Sequence, residues 1–433
     1  MKHKGSPLKL KKALGLVDLT FYGVGIILGA GIYALIGEGA GIAHNSLWLS
    51  FVIAGIIAAF TGLSFCELSS RYSKDAAEYN YMQQGFRRRS WSFLIQWALI
   101  VSGVIAIATV SLGFGGYLAF MAGGDKVFYA GLLILALSAL NYYGIKESAR
   151  FNMVSTLIEG GGLVLIVLIG AWIAVQGQLV APLFEWPGKG LDGVLAAVGL
   201  IFFAYIGFED VVNISEETRN ARKTVPKALL LSIGVSTLLY ILVSVLATSA
   251  VGWEVLSATP APLAKMAENS IPQAALLMGL IALFATANTV LALLVSVSRM
   301  VYGMACQNSI SKVCSTVSQR GTPHVAIALA GLFSLLGLGL GGIGTVAKLA
   351  DIGVFITFFG VNMALIAIRY KHPDSKPFFK TPFNLAWFPV LAGLGALSSI
   401  GMLLYFEWEL LALELGVLIA GYIVYWWYAH HKD

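Results

Sequence analysis

The sequence predicts an all-α membrane protein of 12 transmembrane helices, with the first and sixth interrupted, and three observations carry that prediction. Hydrophobic residues make up 58% of the 433-residue chain and charged residues only 12%, far from the composition of a water-soluble domain. The apolar residues gather in runs of about 20 or more, the length of helix that crosses a bilayer. The basic residues crowd into alternate connections between those runs. Helices of this number and length would fill a little over half of the chain and leave only short connections. A large aqueous catalytic domain is excluded.

Taken between charged or proline-rich breaks, the apolar runs are 13–37, 46–69, 91–122, 127–145, 151–176, 191–215, 228–252, 271–303, 324–343, 347–370, 386–406 and 408–429. The first follows the basic tail Lys2 to Lys12. It is too long for the apolar core of a signal peptide and lacks a convincing cleavage site, so it reads as an uncleaved span. The second closes at Arg71, and the third opens after Arg87, Arg88 and Arg89. Lys126 and Lys146 bound the fourth, and Arg150 precedes the fifth. The sixth runs toward Glu216, Glu217 and Arg219, and the seventh starts beyond Lys227. Arg299 lies near the end of the eighth, and the ninth begins at His324. Only a short glycine-bearing gap near Gly344 divides ninth from tenth. Arg369 and Lys371 end the tenth, and the eleventh and twelfth follow the Pro377 loop. This gives a tail (1–12), a ten-helix core (13–371) and a loop with two peripheral helices (372–433).

With both termini placed in the cytoplasm, 24 of the 28 lysines and arginines fall on the cytoplasmic side. Lys126, Lys189, Lys265 and Lys348 are the exceptions. A wrong span count would scramble this asymmetry, because every later loop would change sides. The bias also explains the net charge of +6 without nucleic acid, since the cations are spread over separate loops rather than joined in one face. Cys66, Cys306 and Cys314 have no metal-ligand spacing and predict no disulfide framework. No zinc motif, phosphate-binding loop or nucleophile–base constellation stands out, so neither an enzyme nor a cofactor is expected.

Two spans are interrupted in corresponding places. The first contains Gly23, Gly25, Gly29 and Gly31 within nine positions. The sixth reads from Phe202 through Phe203, Ala204, Tyr205, Ile206 and Gly207 to the adjacent acids Glu209 and Asp210. Each glycine weakens a helix by about 1 kcal/mol relative to alanine. Close packing alone would explain the first run, but paired breaks in two halves of a chain are what an inverted-repeat transporter produces. Half-helix N-termini then face an anionic group and freed carbonyls a cation. Such a site suits a zwitterion.

At these residues the chain resembles the amino acid-polyamine-organocation superfamily of permeases. The resembling stretches are Gly29 to Tyr33, Asn141 to Asn152, Phe203 to Glu209 with Ser215 to Glu217, and Ser298 to Ala305, with Arg369 and Pro377-Phe378 beyond. Departures are Ala76-Ala77 where relatives carry paired glycines, and the absence of a usual proline near Ser311. The resemblance implies a LeuT-type 5+5 inverted repeat with broken helices 1 and 6, two peripheral helices, and alternating access around a midplane site. It implies a substrate carboxylate on the amides of Ala30, Gly31 and Ile32, an amine on carbonyls of helices 1 and 6, and Phe203 closing over the substrate. Ile26, Phe202, Ala204 and Ile206 complete the expected substrate set.

Acids in mid-span are costly and need a partner, a proton or water. Glu159, followed by three glycines, lies where proton-coupled relatives often carry a lysine, and its expected neighbours are Gly25, Thr286 and Asn288. Glu209, just past the second break, either couples protons or caps the helix that follows. Asp210 is expected to line a wet vestibule, Glu414 to lie near the outer interface, and Glu67 to be solvated or ion-paired. The resulting expectation is a proton-coupled amino acid permease of the plasma membrane, working on amino acids and protons within the lipid bilayer. A carrier of polyamines or an exchanger of basic amino acids is the alternative within the class. A transporter-like sensor or a channel is the alternative outside it.

Overall fold

The computed structural model describes residues 14–72, 77–143, 145–187, 191–213, 218–270, 272–373 and 376–430. The basic tail, Lys189 and the Glu216-Glu217 pair lie outside the described residues. Among the described residues, nine helical stretches are long and apolar enough to cross a membrane. The first, Gly31–Arg71, turns at His44 and joins α2 (Ala30–Ala43) to α3 (Leu47–Arg71). After the short α4 (Ala77–Phe86) come α5 (Arg89–Ala122), α6 (Lys126–Tyr143) and α7 (Ile145–Val175). The segment Asp192–Val212 holds α8 (Asp192–Ile201) and the start of α9 (Asp210–Asn213). The others are α10 (Ala221–Val251), α13 (Pro272–Cys306), α15 (Ile343–Lys371) and α17 (Trp408–His430).

Three further apolar helices, α1 (Leu16–Leu28), α14 (His324–Gly337) and α16 (Val390–Leu403), have 13, 14 and 14 residues. At 1.5 Å per residue they reach roughly 20 Å, short of the ~30 Å hydrocarbon layer. The chain is thus mostly helical and an integral membrane protein. The structure adds helices that apolar runs could not announce: α4, α11 (Trp253–Ser257) and α12 (Pro262–Ser270). A two-residue hairpin, β1 (Asn384–Leu385) with β2 (Phe388–Pro389), precedes α16.

In the interior, α5 packs on α6, α13 and α15, while α10 packs on α1, α3 and α7. α17 lies largely outward and touches the rest mainly through α5 and α15. Buried hydroxyls are often satisfied within their own helix, as when Ser111 Oγ donates to Ile107 O at 2.7 Å.

The end of α3 carries the densest polar knot. Glu67 is fully buried. Its Oε1 accepts from Arg71 Nη2 at 2.6 Å and from Arg369 Nε at 2.8 Å. Its Oε2 accepts from the Thr381 amide at 2.9 Å and from Arg369 Nη2. Arg369 also donates to Asn384. One carboxylate thereby ties α3, α15 and the hairpin loop together, which resolves the expectation for Glu67 in favour of ion pairing.

Candidate functional site

Both expected breaks are present in the backbone. α1 stops at Leu28, Gly29 takes φ −43° and ψ −142°, and α2 restarts at Ala30. In the second, α8 passes into a 3-10 turn over Phe202–Tyr205, Ile206 is extended at ψ 138°, and α9 begins at Asp210. Gly207 has φ +108°, where a side chain is strained, and a Cβ there would lie 2.1 Å from Ile26 Cγ2. The breaks pass within contact of each other, since a Cβ on Gly31 would lie 2.3 Å from Ala204 Cα. The first-turn amides of α2 lack intrahelical acceptors and carry the positive end of its dipole.

Around this crossing lies one cavity. The first break supplies Gly25, Ile26, Ile27 and Gly31, and the second supplies Phe203, Ile206 and Asp210. Ala106 of α5 and the α13 residues Asn288, Thr289, Ala292 and Leu293 complete it. Most of the lining is aliphatic or aromatic, with a few polar groups that can fix a ligand's orientation, the common form of a small-molecule site.

The expected substrate set divides. Ile26, Gly31, Phe203 and Ile206 face the cavity. Phe202 turns the other way, its ring 4.6 Å from that of Phe355 and fully buried in the core. Ile32 is also fully buried in that core, so its amide rather than its side chain is what the break presents. Ala30 opens α2. The Ala204 carbonyl accepts a hydrogen bond from Tyr240 Oη at 2.9 Å, and the same hydroxyl is in bonding distance of Ile27 O. One hydroxyl of α10 thus serves freed carbonyls of both breaks.

The acids also divide. Glu159 is fully buried in α7 and accepts from Asn288 Nδ2 at 2.9 Å, so it stands behind a residue that lines the cavity. Its Oε2 has no partner among the described residues. Thr286 does not join it, because Thr286 Oγ1 donates to Ala282 O at 2.7 Å within α13. Gly25 faces α7 one turn earlier, where a Cβ would lie 2.2 Å from Thr156 Oγ1. Glu209 folds back to accept from the Gly207 amide at 3.0 Å, a capping contact at the break. Asp210 reaches the cavity and accepts from Ser296 Oγ at 3.2 Å.

Sequence reasoning missed Tyr240, Thr289 and Asp351. Tyr240 is a fully buried tyrosine in mid-helix, and its hydroxyl needed a partner that an apolar helix could not supply alone. Asp351 is fully buried on α15, with neither carboxylate oxygen hydrogen-bonded among the described residues. A tenth run starting at 347 puts Asp351 near a helix end, whereas α15 starts at Ile343.

A family model described as amino acid permease matches residues 14–427. A branched-chain amino acid permease, BcaP, of Bacillus subtilis is 30% identical, with 97% of this chain and 93% of that protein covered. A methylthioribose transporter of the same organism is 29% identical over 93% of this chain and 89% of its own length. A vacuolar cationic amino acid transporter of Arabidopsis thaliana is 28% identical, covering 86% of this chain and 65% of that protein. These relatives are transporters and not enzymes, and the chain belongs to the amino acid permease family.

Proposed function

We propose that the chain is a secondary transporter of amino acids in the cell membrane, coupled to protons and working by alternating access. The observation that carries this reading is that two interrupted helices cross at one cavity, with Gly31 against Ala204 and Phe203 and Ile26 on the lining. The substrate carboxylate is assigned to the α2 amides of Ala30, Gly31 and Ile32, where the helix dipole favours an anion. The amine is assigned to carbonyls of the two breaks, and Phe203 to the cover over the substrate. In this reading the short helices α1, α14 and α16 join the nine longer stretches. α1 with α2 forms the first of twelve spans, ten of them in a 5+5 inverted repeat, with both termini cytoplasmic.

Glu159 is assigned to proton coupling through Asn288, and Glu209 stands as the second carboxylate. Asp210 on the cavity favours a second reading, in which a cationic amino acid or polyamine places its distal ammonium there. Counterflow of labelled leucine in proteoliposomes, with unlabelled leucine, lysine and putrescine as competitors, tests both. Competition by leucine alone supports the neutral reading and competition by lysine or putrescine the second. No counterflow with any amino acid or amine overturns both.

A further inference from the structure

Outside the cavity, α17 turns one acid into the protein. Glu414 lies six residues into that helix, about 9 Å along its axis, and is only 1% exposed although α17 is largely outward-facing. Sequence position places Glu414 near the outer interface, and its Oε1 lies beside Gly353 of α15, against which Ser102 of α5 also packs. A Cβ on Gly353 would lie 2.1 Å from Ser102 Oγ, 3.1 Å from Glu414 Oε1 and 3.4 Å from the Ala98 carbonyl oxygen. Neither oxygen of Glu414 nor the Ser102 hydroxyl has a hydrogen-bond partner among the described residues. Ser102 is itself 2% exposed, so bulk water does not supply one.

We propose that Glu414, Ser102 and the Ala98 carbonyl form an intramembrane site for one small monovalent metal cation. A buried carboxylate must be neutralised, and no basic side chain makes an ion pair with it among the described residues. The donors are all oxygens, two from the carboxylate, one hydroxyl and one carbonyl, which suit a hard ion and not a soft one. A single positive charge balances Glu414, whereas a divalent ion would leave an uncompensated charge in the membrane interior. Gly353 brings its backbone so close that even a Cβ would collide with Ser102 Oγ at 2.1 Å, and packing this tight favours sodium or lithium over larger ions. One turn further, Trp97 Nε1 donates to Val417 O at 3.0 Å. The bound ion and this hydrogen bond together would fasten α17 to α5.

The test uses the full chain purified in detergent at pH 8, with sodium, lithium, potassium or choline chloride at one ionic strength. The expected result is a saturable rise in Tm of several degrees in sodium over choline, with one labelled sodium bound per chain. Glu414→Gln should lose both, and Ser102→Ala should need at least tenfold more sodium for the same rise. If Glu414→Gln does not accumulate, Ser102→Ala and labelled-sodium binding to the wild type decide. Equal Tm in sodium and choline overturns the proposal in favour of a proton on Glu414. A sodium effect unchanged in Glu414→Gln, or in Ser102→Ala where that variant decides, places the ion elsewhere and overturns it as well.

Discussion

Adjacent phenylalanines in the second break do different things, and substitution can separate them. Phe203 faces the cavity, while Phe202 is packed against Phe355 and Phe358. Phe203→Ala should weaken amino acid binding by about tenfold, roughly 1.4 kcal/mol, with little change in Tm. Phe202→Ala should cost about 3 to 5 kcal/mol of stability as a core truncation. Binding isotherms and thermal unfolding on both variants check the assignment, and the reversed pattern would exchange their roles. Gly31 sets a harder limit, because its missing Cβ is occupied by the Ala204 backbone. Gly31→Val should abolish binding and destabilise the chain by about 1 to 3 kcal/mol through overpacking. Substrate-induced thermal shifts that persist in this variant would move the carboxylate site away from α2.

At the scale of elements, the breaks were legible because their residues contradict helix: a dense glycine run, and two acids beside a glycine within an apolar segment. Which side chain of the broken stretch meets the cavity was not legible. A segment that leaves the 3.6-residue repeat for a 3-10 turn and an extended residue has no fixed face to project. The short helices α11 and α12 carry no long apolar run, and the gap before α15 is only the five residues 338–342, with Gly344 already in the first turn of α15. Ion pairing at Glu67 was visible only as a possibility, because Arg369 and Thr381 lie far away in sequence. Glu67→Ala would leave Arg369 buried without its carboxylate, and should cost about 3 to 5 kcal/mol. Thermal unfolding beside an Arg369→Ala/Glu67→Ala double variant checks this, since the double loss should be well below the sum of the single losses.

For the whole molecule, composition and the alternation of charge spoke to every span at once, so the membrane class and the family likeness were available before any contact. The site was only half available, because Tyr240 and Thr289 reach it from helices remote in sequence. The transport cycle itself is tested at Glu159. Glu159→Gln keeps the bond from Asn288 and the shape of the side chain, so it should sustain exchange in proteoliposomes and lose stimulation by an inward proton gradient. Undiminished pH dependence would transfer the role to Glu209. The Glu67 knot bears finally on how the chain is made. Glu67 and Arg369 are separated by 302 residues, which a ribosome adding about 5 to 20 residues per second covers in roughly 15 to 60 s. During that interval the distal arginine does not yet exist, and a carboxylate destined for a dry interior must stay in water or lean on Arg71 alone. The end of α3 therefore reaches its final seat only when synthesis has passed the hairpin, and assembly of this end of the protein is a late, chain-closing event.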